Sequence, residues 1–494
     1  MAIPKVCGIE TEYGIMVRGG DSNPVTASSL LINAYLSSRQ RKITWDFNDE
    51  QPGNDARGFN VTDLLAPEIE TNLVNAVLTN GARYYVDHAH PEVSTPECLT
   101  ALEVVLYDRA AEEIVRASMT AASALLDDGA EVLCHKNNSD GKSNSYGCHE
   151  NYLLARDTPF GRLVTQITPH FVTRQIVTGA GKVGCEIPGV ANSEVPFQVS
   201  QRADFFEEEV GLETTLKRPI INTRDEPHCD PSKYRRLHVI VGDANMSEVA
   251  TFVKVGVAAL LLAMIEDDQM GDDLALGNPV AAIRQVSHDP TLRRTIMMRN
   301  GQRATALEIQ WALYDRARRY EQSHGLEAVG QQVGIEVLQW WETILTGLES
   351  DVESVAHVVD WVAKKRIVDA YAIRHGLRPG NATLKALDLQ YHDMRPDRCL
   401  ARRVGLHTLV TEQAVHTAMT EPPTTTRAYF RGRCLAKWPD DVVAANWDSM
   451  VFDIGREPLR RIPMMEPLRG TAEHVANLID SSATPAELVA RLEA

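Results

Sequence analysis

The apolar pattern of this chain changes once, from short β-like runs to long helical runs, and this change restricts the fold class. Up to about residue 246, β-rich runs alternate with Gly and Pro, as expected for strands. From Ser247 onward, apolar residues recur at helical spacing. Strands followed by helices are typical of α+β proteins. We expect strands within 5–16, 82–87, 131–136, 151–155 and 237–241, and helices over 98–126, 248–266, 305–323, 329–348 and 352–375.

Two further features divide the chain. The pair Pro422 and Pro423 predicts a junction between a large domain, 1–421, and a small C-terminal domain, 422–494. The segment 45–79 is rich in acidic and turn residues and indicates a long insertion between strands, of the kind that is often functional. We expect its deletion to keep the fold and to alter the activity or its control.

Composition excludes several classes of function. The 494 residues carry a net charge of −17 with no run of five basic residues, which disfavours nucleic acid as a partner. The longest apolar run, 255–265, is too short to cross a bilayer, and the N-terminus lacks the pattern of a signal peptide. The eight cysteines form no CxxC pair. We therefore expect a cytoplasmic protein without a membrane partner.

Several segments place polar groups on one face of a strand. Glu10 and Glu12 are two residues apart, so on a strand both carboxylates point to the same side. Within one sheet such groups would supply oxygen ligands for Mg²⁺, imidazoles, and arginines for phosphates. The chain has no P-loop and no GxGxxG before a helix. The residues that share these faces are Glu10 and Glu12; Arg83, Tyr85 and Asp87, with Glu92 after a turn; His149 and Asn151; and Arg236 and His238.

From the residues alone, each feature keeps a simpler alternative. Two glutamates on a strand are more often a solvated face than a metal site. Asp87 could equally cap the turn that follows it, and a single histidine is more often a core residue than a ligand. The arginines of 395–403 and 427–433 could be solvated surface, and Trp447 could line a purine pocket or pack in a core.

Six longer strings resemble the family of the Pup ligase and the Pup deamidase, and together they span almost the whole chain. The resemblance implies a glutamine-synthetase-like fold, namely a curved antiparallel sheet backed by helices, with ATP and Mg²⁺ in a cradle and a small C-terminal domain. The strings are GIETEYGI (8–15), NGARYYVDHAHPE (80–92), KNNSDGKSNSYGCHENYL (136–153), INTRDEPH (221–228), YRRLHVIVGDANMSE (234–248) and TTRAYFRGRCL (425–435).

The resemblance also implies roles for single residues. Asp87 matches the catalytic aspartate of the family. Glu10, Tyr85 and Glu92 match metal-site residues, and residue type adds Glu12, His149 and His238 to this set. Arg83, Thr95 and Trp447 match residues that contact ATP, and residue type adds Arg236 and Arg433.

The family has two activities, and the insertion favours one of them. A long segment before the NGAR motif, together with the short turn DHAHPE, resembles the deamidase. The implied reaction is hydrolysis of the C-terminal glutamine side chain of Pup and of the isopeptide bond between Pup and lysines of tagged proteins, with ATP and Mg²⁺ bound but not consumed. A Pup–protein ligase and an inactive Pup-binding regulatory protein remain the alternatives. Arg427, Arg431 and Arg433 are candidates for a basic groove that would receive the acidic tag.

Overall fold

A large sheet and the helices behind it organise the chain. The structure is a computed structural model that describes all residues except 21–22, 40–42, 48–49, 62–73, 128 and 494. Its strands are β1 (Cys7–Glu12), β2 (Gly14–Arg18), β3 (Thr44–Trp45), β4 (Asn54–Asp55), β5 (Phe59–Asn60), β6 (Asn75–Val77), β7 (Arg83–Asp87), β8 (His90–Ser94), β9 (Glu131–His135), β10 (Cys148–Ala155), β11 (Lys182–Val183), β12 (Phe197–Gln198), β13 (Phe206–Gly211), β14 (Arg218–Asn222), β15 (Tyr234–Val239), β16 (Thr295–Met297), β17 (Arg303–Thr305), β18 (Val442–Ala445), β19 (Ser449–Phe452) and β20 (Arg460–Pro463).

In the part of the chain that the structure describes, the largest sheet has the order β15-β10-β1-β8-β7-β6-β3-β18-β19-β20. Its neighbouring strands are antiparallel except for β3 and β18, which are parallel. The predicted α+β class and the antiparallel sheet are therefore confirmed. The single strand expected over 5–16 is two strands in two different sheets, because the chain leaves the main sheet after Glu12.

One face of the central strands is apolar and packs on helices. Ile9, Tyr84 and Tyr152 are almost completely buried in the main core. The helix Ala101–Ser123 contacts β1 on this side, and its N-cap Thr100 accepts a hydrogen bond from the backbone of Glu103. Since side chains alternate along a strand, the polar residues between these core positions must face the other side of the sheet.

The helices agree with the predicted ranges apart from one break. The helix Ala306–His324 begins after Thr305, which forms the expected capping box with Glu308. The segment predicted as one helix over 352–375 is a short 3-10 helix and then a separate α-helix. The α-helices are Pro24–Arg39, Ala101–Ser123, Phe160–Thr173, Gln175–Thr178, Glu248–Glu266, Pro279–Ser287, Ala306–His324, Gln331–Ser350, Asp360–His375, Ala382–Tyr391, Leu400–Arg403, Glu412–Ala418, Ala428–Lys437, Ala472–Ser481 and Pro485–Leu492, and the 3-10 helices are Ala203–Phe205, Glu327–Val329 and Val352–Val355.

The helix Glu248–Glu266 has the predicted bounds and contains the apolar run 255–265. Its 19 residues are long and apolar enough to span a bilayer, but its most apolar window is entirely buried inside the protein. The helix packs against the helix Gln331–Ser350 and the helix Ala101–Ser123. It is therefore accounted for as a central core helix.

The predicted insertion 45–79 has ends that belong to the main sheet. Trp45 lies in β3, and Asn75–Val77 is β6, which pairs with β7. Deleting the whole segment would remove Trp45 of β3 and all of β6. The expectation that the fold survives this deletion stays a prediction. Residues 48–49 and 62–73 of the segment lie outside the described residues.

The C-terminal strands extend the main sheet instead of forming a separate one. β18 pairs with β3, and a second apolar cluster joins Trp438 and Phe452 to Trp45 and Val77. The C-terminal region therefore packs beside β3, the strand at the start of the insertion. The domain boundary at 421/422 stays a prediction.

Candidate nucleotide and metal site

The register of the central strands brings the predicted acidic residues together. Glu10 of β1 lies opposite His149 of β10 on one side and opposite Ser94 of β8 on the other. Glu12 lies opposite Glu92. Side chains at directly opposite positions of paired strands share a face of the sheet. The predicted convergence of these residues on one face is thus present.

The same register adds the outer strands. Tyr85 of β7 lies opposite Glu92, and Arg83 lies opposite Ser94. On the other side, His238 of β15 lies opposite Asn151 of β10. The polar face therefore runs across β15, β10, β1, β8 and β7, on the side of the sheet away from the helix Ala101–Ser123.

A first group on this face consists of Glu10, His149 and His238. The ring Nδ1 of His149 is 3.5 Å from Glu10 Oε2, and His238 Nε2 is 3.7 Å from the same oxygen. Burial lowers the pKa of His238 to about 3, so its imidazole is neutral. Neither ring nitrogen of His238 has a hydrogen-bond partner among the described residues, although both are buried. A neutral buried imidazole beside a carboxylate fits a cation ligand.

A second group consists of Glu12, Asp87 and Glu92. One carboxylate oxygen of each lies within 4.8 Å of the others. Burial and the charge of Asp87 raise the pKa of Glu12, and burial with the charges of Asp87 and Glu12 raises the pKa of Glu92 well above its ordinary value. Clustered carboxylates of this kind repel one another, and a divalent cation would remove the repulsion. Burial raises the pKa of Tyr85 as well, so it offers a neutral hydroxyl.

Asp87 is more exposed to solvent than its two acidic neighbours, Glu12 and Glu92. Its side chain is 31% exposed, whereas Glu12 and Glu92 are buried. It ends β7 before a tight turn in which His88 has φ +51°, and His88 Nδ1 is 2.8 Å from Asp87 Oδ2. Burial acts to raise the pKa of Asp87, but the contact with His88 keeps it below the ordinary value. Among the described residues, no backbone N–H donates to this carboxylate, so the turn-cap alternative is not supported.

A pocket of about 590 Å³, partly open to solvent, lies beside these groups. It is lined by Thr95, Arg236 and Trp447, three of the five residues predicted to contact ATP, together with Gly8 and Glu10. A Cβ atom at position 8 would lie 3.0 Å from Thr95 Oγ1, so Gly8 keeps this wall open. Arg236 donates through Nη1 to Asn151 Oδ1 at 2.7 Å and is thereby fixed at the pocket edge.

Arg83, the fourth predicted ATP residue, is outside the lining of this pocket but on the same face. Its guanidinium is 4.0 Å from the ring centres of both Trp45 and Tyr85. Its Nε donates to Asn75 Oδ1 at 3.0 Å. Trp45 in turn contacts Trp447 edge to face, with ring centres 5.2 Å apart. The pocket and Arg83 are therefore connected through one indole ring.

Arg433 does not join the site. It pairs with Glu421 at 3.2 Å and approaches Asp480 at 3.8 Å on the surface. Two residues earlier on the same helix, Arg431 is fully buried and bonded to Glu97, because a two-residue step turns a helix to its opposite side. The cofactor prediction for Arg433 is corrected accordingly.

Arg427 and Arg431 do not form the basic groove considered for the tag either. Both are buried, and both bind the carboxylate of Glu97; Arg427 Nε is 2.7 Å from Glu97 Oε1. Arg431 also lies over the ring of Trp447, 5.0 Å from its centre. The two arginines share one carboxylate, and with Arg427 and Glu97 in the lining this group forms part of the pocket wall. Glu97 was missed because its partners are more than 300 residues away and no local pattern marks it.

The polar face and the pocket lie on an antiparallel sheet backed by helices, which is the glutamine-synthetase-like class. Within it, the sequence profile described as "Pup-ligase protein" matches residues 5–451, and the chain belongs to this family. It is 50% identical to a depupylase of Acidothermus cellulolyticus and 43% identical to a Pup deamidase/depupylase of Mycolicibacterium smegmatis, with 99% of each chain covered. A solved structure of the Pup ligase PafA in complex with ADP has a TM-score of 0.74 and 35% identity, covering 82% of this chain and 89% of its own.

Proposed function

We propose that this chain hydrolyses the side-chain amide of the C-terminal glutamine of Pup and the isopeptide bond between Pup and lysines of tagged proteins. The structural observation behind the proposal is the accessible carboxylate of Asp87 at the rim of a buried acidic cluster. The two relatives with deamidase or depupylase names align with 99% of this chain at 50% and 43% identity, whereas a Pup–protein ligase of Nakamurella multipartita aligns with 82% at 40% identity. This difference favours hydrolysis over ligation.

Deamidation of Pup and removal of Pup from a lysine follow the same chemistry. The γ-glutamyl C–N bond breaks, the oxygen of water joins the carbonyl carbon, and ammonia or the lysine amine leaves with a proton. Asp87 is ionised and can either attack the carbonyl or take a proton from water. A carboxylate that is less exposed, such as Glu92, could not meet a protein-sized substrate in this way.

The residues of the polar face fit Mg²⁺ and a nucleotide. Glu10, His149 and His238 form one possible ligand set, and Glu12 and Glu92 form the other beside Asp87. A bound Mg²⁺ would act as a Lewis acid that polarises the carbonyl and stabilises its developing charge. Thr95, Arg236 and Trp447 would hold the nucleotide in the adjacent pocket. The nucleotide organises the site and is not consumed at each turnover.

The polar side chains of the face have defined tasks in this scheme. Arg83 contributes a fixed positive charge to this face, since its guanidinium carbon lies 4.0 Å from the ring centres of Trp45 and Tyr85 and its Nε donates to Asn75. Gly147 donates its backbone N–H to Glu12 Oε1 at 2.7 Å and keeps that carboxylate turned toward the cluster. We expect the protein to act in the cytoplasm, where pupylated proteins would be its partners.

Mass spectrometry of Pup tests the proposal. Glutamine-ended Pup is incubated with the protein, Mg²⁺ and ATP, and conversion of the amide to a carboxylate is followed over time. We expect conversion with wild-type protein and at least about a thousandfold slower conversion with Asp87→Asn, which still binds nucleotide. Arg433→Ala is the matched control and should keep the wild-type rate. Formation of a conjugate and ADP from glutamate-ended Pup and a lysine-bearing protein would instead identify a ligase, and an inactive wild-type protein that binds Pup would identify a regulatory one.

Hydroxylamine distinguishes the two roles of Asp87. If Asp87 attacks the carbonyl, an acyl intermediate forms and hydroxylamine intercepts it as a γ-hydroxamate of Pup. If Asp87 is a general base, the product is the carboxylate at all hydroxylamine concentrations that leave the protein folded. The ratio of the two products, read by mass, decides between the roles.

A further inference from the structure

Trp45 lies between two parts of the site that are distant in sequence. One face of its indole is covered by the Arg83 guanidinium at 4.0 Å, and its edge meets Trp447, whose ring lines the pocket. Its Nε1 donates to Glu50 Oε1 at 2.7 Å, which fixes the ring about its own axis. Trp45 thus contacts both a charged group of the polar face and a wall of the nucleotide pocket.

Arg83 is held by two aromatic rings and one hydrogen bond. Its guanidinium carbon lies 4.0 Å from the ring centres of both Trp45 and Tyr85, and Asn75 accepts from Nε. Among the described residues, its two Nη groups make no hydrogen bond and no ion pair within 4.0 Å. A planar cation that is held by aromatic rings and has no hydrogen bond at its outer edge is suited to bind an anion through that edge.

We propose that Trp45 is a positioning residue that holds Arg83 in the orientation required for the nucleotide phosphates and connects this orientation to the pocket through Trp447. The inference rests on the nucleotide-binding part of the proposed function. An indole gives the strongest cation–π contact among side chains, and a stacked guanidinium keeps its plane. Loss of the indole frees Arg83 to rotate, and each binding event then has to restore its orientation.

Trp45 is also part of an apolar cluster with Trp438 and Phe452, so its loss could act through packing alone. If Trp45 acts through packing alone, loss of another tryptophan of that cluster should weaken ADP binding to the same extent. A positioning role predicts that the effect depends on the shape of the side chain at position 83. The two roles therefore give different results in a double-mutant cycle.

The experiment measures ADP binding in the presence of Mg²⁺ by calorimetry, with thermal unfolding of each variant recorded in parallel. The variants are Trp45→Met, Trp45→Phe, Arg83→Lys, the double variant Trp45→Met/Arg83→Lys, and Trp438→Met as the control from the same cluster. Methionine fills the space without an aromatic face, and lysine keeps the charge of position 83 without the planar fork.

We expect Trp45→Met to weaken ADP binding by about tenfold, the scale of one partly buried cation–π contact, and Trp45→Phe by about threefold or less. Trp438→Met should lower thermal stability and leave ADP affinity within about twofold. In the Arg83→Lys background, Trp45→Met should change the affinity by less than about twofold.

Equal losses of affinity for Trp45→Met and Trp438→Met would overturn the proposal. The same holds for an unchanged tenfold loss in the Arg83→Lys background, because Trp45 would then act independently of Arg83. If Trp45→Met does not fold, Trp45→Phe is tested instead. Phenylalanine keeps an aromatic face for Arg83, so a loss of ADP affinity in Trp45→Phe as large as the loss in Arg83→Lys would contradict the proposal. The readout is binding, so wild-type protein that binds ADP but leaves Pup unchanged would refute the proposed hydrolysis without touching this inference.

Discussion

The pairing of Glu97 with Arg427 and Arg431 gives a prediction that the structure allows to be quantified. Glu97 Oε1 is 2.7 Å from Arg427 Nε, and its other oxygen binds Arg431, whose side chain is completely buried. Arg431 packs over Trp447 and donates to its carbonyl oxygen at 3.2 Å. Glu97 therefore supports the wall of the pocket through two arginines. The substitution Glu97→Gln keeps the shape and removes the charge.

The size of the effect follows from the pKa of Glu97. Burial alone would raise this pKa, but Arg431 and Arg427 lower it from 4.5 to about 2. A shift of this size corresponds to about 3 kcal/mol of stability at neutral pH, in the range found when one partner of a buried ion pair is removed. Because the pKa is lowered in the folded state, this stability is fully present above pH 4.5 and is lost as the pH falls toward 2.

The assay is urea unfolding of wild-type protein and Glu97→Gln, followed by intrinsic tryptophan fluorescence at several pH values. We expect a difference of about 3 kcal/mol in unfolding free energy at pH 7, narrowing by about 2 kcal/mol between pH 6 and pH 3. ADP binding should weaken in parallel at pH 7 because the wall of the pocket loosens. A difference that stays constant from pH 6 to pH 3, or one under about 1 kcal/mol at pH 7, would show that the Glu97 charge does not stabilise the two arginines.

Further predictions concern the acidic cluster and the pocket edge. Glu92→Gln should raise the melting temperature in EDTA, because the pKa of Glu92 is raised in the folded protein and its charge costs stability at neutral pH. The same substitution should reduce the stabilisation of the fold by added Mg²⁺. Thermal unfolding with and without Mg²⁺ checks both predictions. An unchanged response to Mg²⁺ would contradict a cation at this cluster. Arg236→Ala should weaken ADP binding by about tenfold or more, whereas Arg433→Ala should leave it unchanged, which calorimetry compares directly. Equal effects of the two variants would contradict the assignment of the pocket.

Local sequence was sufficient for the residues of the polar face. The alternation of Glu10 and Glu12, and of Arg83, Tyr85 and Asp87, already requires that each set share a face, because the period of a strand is two. The antiparallel register then places the sets side by side. The roles of Glu10, Arg83, Tyr85 and Asp87 came from the family resemblance and that of Glu12 from residue type, since spacing alone left the turn-cap alternative for Asp87 open.

Local sequence was insufficient for residues whose position depends on a contact between distant parts of the chain. Arg431 and Arg433 have the same residue type and lie two positions apart, yet one is buried and the other is on the surface. The helical register and the partner Glu97 decide this, and Glu97 lies more than 300 residues away in the chain. The strands at the ends of the insertion were not predicted, for a related reason. A two-residue strand such as β3 carries no periodicity, and its pairing with β18 becomes visible only in the folded chain.

The pairing of β3 with β18 has a consequence for how the site is assembled. Trp45 belongs to the first fifty residues and Trp447 to the last fifty, and their contact joins the Arg83 side of the polar face to the nucleotide pocket. A nucleotide that binds against Trp447 therefore stabilises the contact between the C-terminal strands and the sheet edge, by mass action on the folded form. A ligand that stabilises this junction also fixes Trp45, and through it Arg83, four residues before Asp87 on the same strand. Under the proposed function, this chain of contacts is the physical reason why the hydrolase needs a nucleotide that it does not consume.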